Sequence, residues 1–112
     1  HNAPRCVRCG ELKRFEEAKT VLREAMLVAR RVLGEEHRLV LKMGYHYAQT
    51  LYEDSAASLD DLREAVTTLE EIQGTARRVL GGAHPLTVDI ERELRHARAV
   101  LRARETPPAG DK

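Results

Sequence analysis

The sequence predicts an all-α protein built from tandem antiparallel helical hairpins. Three observations carry this. Residues 15–39 laid over residues 62–86, a shift of 47, match at 13 of 25 positions, most densely in Ala29-Arg30-Arg31-Val32-Leu33-Gly34 against Ala76-Arg77-Arg78-Val79-Leu80-Gly81. In both copies the apolar residues step by three and four, the period of a helix with one buried stripe. No stretch reads as a credible strand, and a repeat in the forties without strands belongs to a stack of helical hairpins rather than a propeller.

Taken in order, residues 1–10 read as a truncated first helix or a cloning remnant, in keeping with a chain that opens at His1 rather than Met. A long helix is expected over 11–33, with the stripe Phe15, Ala18, Leu22, Ala25, Ala29 and Val32. Its wet face carries Lys19, Arg23 and Arg30. Gly34 suits the left-handed residue that ends a helix, and Arg30 and Arg31 meet the negative end of its dipole. A shorter helix over 38–53 follows, with Leu39 or Val40, Met43, Tyr47 and Leu51 inward and Gly44 and Ala48 small enough for a neighbour to approach. Residues 54–58 read as a loop, with Ser58 or Asp60 as the next cap.

The second long helix, 59–80, repeats the first: Leu62, Ala65, Leu69, Ile72, Ala76 and Val79 inward, Arg63, Glu70 and Arg77 outward. Gly74 lies within it, at a cost of about 1 kcal/mol relative to Ala, and marks a bend or a tight helix contact. Pro85 opens a last helix over 85–104, as helix starts permit, with Thr87, Ile90, Leu94, Ala97 and Leu101 inward. Residues 105–112 are expected to be a disordered tail. One domain is therefore expected, over 11–104, which suits a chain of 112 residues.

Composition narrows the function. Nineteen Lys and Arg against 18 Asp and Glu leave a formal charge of +1, unlike a histone-like protein or a strongly acidic mimic. One Phe, three Tyr and no Trp give no stacking platform for single-stranded nucleic acid. No apolar run reaches the roughly 20 residues that cross a bilayer, so no membrane role is expected. Two cysteines cannot frame a secreted disulfide scaffold, and a reducing, cytoplasmic setting is expected.

Catalytic chemistry finds no support in the motifs. Cys6-Val7-Arg8-Cys9 could supply half a zinc site or a redox pair, but no second pair follows; two helix cysteines are the simpler reading. His1, His37, His46, His84 and His96 do not cluster at metal spacing. Glu16-Glu17, Asp60-Asp61 and Glu70-Glu71 fall where solvated faces or caps explain them. No catalytic residue, metal or cofactor is assigned, and the chain is not expected to be an enzyme. Arg95, Arg98 and Arg102, with Arg92 and Arg104 nearby, make one side of the last helix basic, but Glu91, Glu93 and Glu105 balance it, so nucleic acid is not the expected partner.

Leu33-Gly34-x-x-His37 and Leu80-Gly81-x-x-His84-Pro85, each after a helix opening with Glu17-Ala18 or Glu64-Ala65, resemble tetratricopeptide repeats of the kinesin-light-chain type. Tyr47-Ala48-x-x-Leu51 is similar to the first-helix signature of that family, and the likeness spans residues 10–101. Departures are Arg38 in place of Pro, Arg95 and Arg98 in place of a small and an apolar residue, and about five extra residues near 54–61, given a family unit of about 42. The resemblance implies a right-handed solenoid segment whose first helices line a peptide groove. The positions that match the lining ones are Lys42, Tyr45, His46, Gln49, Tyr52 and Glu53, then Asp89, Arg92, Glu93 and His96. Tyr45 and Tyr52 offer flat contact area or, alternatively, cover a neighbouring helix.

The function expected is a non-catalytic protein-interaction module that binds a peptide or partner helix. The alternatives are a structural segment that self-associates through a terminal helix, around 15–33 or 90–101, and an accessory helical domain of a larger enzyme or metal-binding protein.

Overall fold

The computed structural model describes residues 3–54 and 57–105, with side chains from residue 13 onward. Four helices follow one another: α1 (Ala3–Leu33), α2 (Arg38–Glu53), α3 (Leu59–Leu80) and α4 (Pro85–Glu105). No strand occurs among the described residues. α2, α3 and α4 occupy the spans expected, with α4 one residue longer. α1 differs, because it runs unbroken from Ala3 across Gly10 and merges the two expected segments. Pro4 sits in its first turn, where a missing N–H costs nothing. Expectations for the side chains of Cys6 and Cys9, and for residues 106–112, lie outside the described residues.

The two matched turns share one geometry. Gly34 and Gly81 have φ of +92° and +91°, a region that side chains with a Cβ avoid. Gly34 N–H donates to the carbonyl of Arg30 at 2.9 Å, and Gly81 N–H to those of Ala76 and Arg77 at 3.2 and 3.1 Å. His37 and His84 then start the next helix: Nδ1 of each accepts from the backbone N–H two residues on, Leu39 at 3.0 Å and Leu86 at 3.1 Å. The remaining start is a capping box. Ser58 Oγ accepts from Asp61 N–H at 3.1 Å, and the Asp61 carboxylate accepts from Ser58 N–H at 2.9 Å, so two orphan donors are satisfied at once.

Packing makes α3 the central helix, with α2 on one side and α4 on the other. Leu62, Ala65, Leu69, Ile72 and Ala76 are buried as the stripe predicts. Only Val79 stays exposed. On α4, Thr87, Ile90, Leu94 and Ala97 are buried and Leu101 is half-buried. α2 buries more than one stripe, namely Val40, Leu41, Tyr47, Ala48, Leu51 and Tyr52, while Leu39 is exposed, because three helices surround it. Gly44 supplies the close approach: a Cβ there would stand 3.0 Å from Ile72 Cγ2. Gly74 makes no such contact, since nothing lies within 4 Å of its Cβ position. The tight helix crossing expected there belongs to Gly44.

α1 departs most from expectation. Phe15 and Met26 are buried, Leu22, Ala25 and Ala29 are half-buried, and Ala18 and Val32 are exposed. α1 packs chiefly on α2 and reaches α3 through the Lys19 and Arg23 ion pairs, so only a narrow strip is covered. Lys19, expected on the wet face, is drawn in: its Nζ lies 2.8 Å from Asp61 Oδ1, with side-chain exposures of 13% and 9%. Asp61, expected at a solvated helix start, is the buried partner of that pair.

Arg23 is wet in part, and it closes a second link between α1 and α3. Its Nε donates to the Tyr47 hydroxyl at 3.0 Å and its Nη2 to Glu64 Oε1 at 3.0 Å, while the Tyr47 hydroxyl donates to Glu64 Oε2. Burial, then the bond to Glu64, pushes the Tyr47 phenol up to about 12, against a smaller opposing pull from Arg23. A raised phenol stabilises the fold fully below the unfolded value near 10 and loses that share as pH climbs toward the folded value. Tyr47→Phe should therefore cost about 1–2 kcal/mol at pH 8. Urea unfolding at a series of pH values should show the gap between the two proteins narrowing above pH ~10.

Candidate functional site

α2 and α4 touch along one side, and part of the predicted lining set meets there: Tyr45 beside Asp89, Arg92 and Glu93, and Tyr52 beside His96. Tyr45 and Gln49 of α2 are half-buried, and Lys42, His46 and Glu53 are exposed. On α4, Arg92 and His96 are exposed, and Asp89 and Glu93 are half-buried. Tyr52 is buried, with its ring centroid 5.4 Å from that of His96. It forms the floor of the seam and does not present a flat face to solvent; of the two readings left open by its spacing, covering a neighbouring helix is the one observed. Tyr45 does stand at the surface, its ring 5.3 Å from His46 and edge-on to it.

The electrostatics of the seam are acidic at one end. Burial and then the carboxylates of Glu93 and Asp89 hold the Tyr45 phenol above its usual value, against the Arg92 guanidinium. Arg92 itself pairs with Asp89 at 3.2 Å. Among the described residues three side-chain polar atoms are buried without a hydrogen-bond partner, the Tyr52 hydroxyl, Glu93 Oε1 and Thr87 Oγ1. A buried polar atom left unpaired costs about 1–3 kcal/mol, so each is a local weakness of the packing.

The structure does not gather every predicted residue into one place. His46, Gln49 and Glu53 line a shallow cleft together with Thr50 and Asp54, without any residue of α4. Lys42 lines a different hollow with Glu36, His37, Leu39 and Val79. Thr50 and Asp54 were not among the expected lining residues. The signal for Thr50 was its four-residue step from His46 on α2; Asp54 follows the helix as its cap, with extended backbone, and no helical spacing pointed to it.

The basic side of α4 is partly neutralised. Arg98 reaches Glu70 at 2.9 Å, and Arg104 donates to the carbonyl of Ala57 at 3.2 Å. Among the described residues, no three His, Cys, Asp or Glu side chains come together so as to hold a metal ion. No described helix is long and apolar enough to cross a membrane. No protein-family model, curated protein or solved structure matches the chain.

Proposed function

We propose that this chain is a non-catalytic protein-interaction module, of the tetratricopeptide kind its turns resemble, and that it holds an extended peptide along the α2–α4 seam. One observation carries the reading: the half-buried Tyr45 ring and the exposed Arg92 and His96 side chains stand together along the rim of that seam. An extended backbone offers carbonyl acceptors at regular spacing, which the Arg92 and His96 side chains can meet from the rim. Tyr45 supplies the aromatic contact at the rim.

A screen of the protein against an array of short extended peptides tests this, followed by titration of the best binder. Tyr45→Ala and Arg92→Glu should each weaken that peptide about tenfold, roughly 1.4 kcal/mol; the exposed Arg92 leaves the melting temperature little changed, whereas loss of the half-buried Tyr45 ring, packed against the core, also lowers it. An array without binders, or a peptide that binds both variants as well as the parent, refutes the seam as a binding site.

A further inference from the structure

The internal repeat allows α1 to be compared with α3 position by position. α3 meets α2 through Thr68 and Ile72, whose methyl carbons Cγ2 lie 3.8 and 3.0 Å from the Gly44 Cβ position. The shift of 47 sets Val21 and Ala25 of α1 at those two positions, and Val28 and Val32 at the positions of Thr75 and Val79. This strip of α1 is more apolar than its counterpart on α3, of which Thr68 and Ile72 are buried, Thr75 is half-buried and Val79 is exposed. It is nevertheless open, with Val21, Val28 and Val32 exposed by 63%, 53% and 72%. The residues at 21, 25, 28 and 32 step by four, three and four, the spacing of a coiled seam. A contiguous apolar strip of this kind marks a contact surface.

Charge decides what covers it. The α4 end of another copy is a poor fit. Glu91, Arg95 and Arg98 stand there where the repeat has Gly44, Ala48 and Leu51 on α2, and setting those charges against valines would strip their water without pairing them. The strip is instead complementary to itself. Glu24 and Arg31 run along its outer edge, and neither has a charge partner among the described residues.

We infer that α1 is a homodimerisation helix that pairs antiparallel with the α1 of a second copy about a two-fold axis near Met26 and Leu27. In that register Val21 meets the second copy's Val32 and Ala25 meets its Val28. Glu24 stands beside the second copy's Arg31, and each contact occurs twice, as an isologous interface requires. The overlapping strip is roughly 18 Å of helix. That is the small end of specific interfaces, so the dimer is weak, with a dissociation constant on the order of 10 μM.

Sedimentation equilibrium on the full 112-residue chain, in reductant and from about 1 to 500 μM, tests the pairing around the expected constant. The mass should rise from 12.7 kDa toward twice that value. Val21→Glu with Val28→Glu should give a helical monomer throughout. Glu24→Arg should raise the dissociation constant about tenfold by replacing two attractions with two repulsions. Adding Arg31→Glu to it should restore the parent value, because the exchange re-forms both pairs. A strict monomer at every concentration, which would leave the strip to a foreign helix or another segment, overturns the proposal. So does a dimer that the double valine substitution leaves intact, or a Glu24→Arg defect that Arg31→Glu does not repair.

Discussion

Leu69→Ala should lower the stability of this protein by about 3–4 kcal/mol, while the same change at its repeat partner, Leu22→Ala, should cost about 1 kcal/mol. The two leucines are equivalent by sequence. Leu69 is fully buried in α3, between α2 and α4, and Leu22 is half-covered on α1. Removing three carbons from a closed site loses their transfer free energy and leaves a cavity whose walls relax only partly; at an open site water fills the space and the second penalty disappears. A domain of this size holds about 5–15 kcal/mol in total. The Leu69 variant should therefore lose on the order of 15 °C in melting temperature, and urea unfolding of the two variants side by side reads the difference. Equal losses would mean that α1 is as deeply packed as α3.

Asp61→Ala should cost about 2–4 kcal/mol, far more than a typical change at an exposed helix start. Two supports are lost together. The capping box with Ser58 loses one of its two bonds, and Lys19 keeps only Glu16, at 3.3 Å, an exposed carboxylate. Burial disfavours the Asp61 charge, but the hydrogen bonds from Lys19 and from Ser58, with the Lys19 charge, outweigh it and hold the carboxyl below its usual range. A lowered carboxyl contributes fully above the unfolded value near 4 and loses its share as pH falls through the lower folded value. Asp61→Asn, which keeps the shape and removes the charge, should accordingly lose most near neutrality and converge on the parent at strongly acid pH. Chemical denaturation at pH 7 and in a series descending below pH ~4 measures this.

Much of the architecture was written locally. The repeated Leu-Gly-x-x-His block announced two matching turns, and the apolar stripe of α4 named its buried residues, while that of α3 named five and missed Asp61, Val66 and Thr68. Local signals carry that far because caps, left-handed glycines and helical period act within a few residues. They end where burial depends on how many neighbours a helix has. The stripe of α1 is as apolar as that of α3, yet Ala18 is exposed while its repeat partner Ala65 is buried. Lys19 and Asp61 read as surface charges because their pairing spans 42 positions of sequence. For the candidate seam, the spacing chose residues on one broad side of α2, and three-dimensional packing divided them: Tyr52 went to the floor, while His46, Gln49 and Glu53 turned to a separate cleft.

The uneven sharing of neighbours also bears on how the molecule comes apart. α3 serves as a spindle held from both flanks, whereas α1 rests on one apolar strip and on the Lys19 and Arg23 bridges to α3. Salt screens the more exposed of these bridges first, and regions with fewer covered contacts open at lower free energy than the rest. High ionic strength thus loosens the outer leaf while the three inner helices hold, so the fold frays from one margin inward rather than melting evenly.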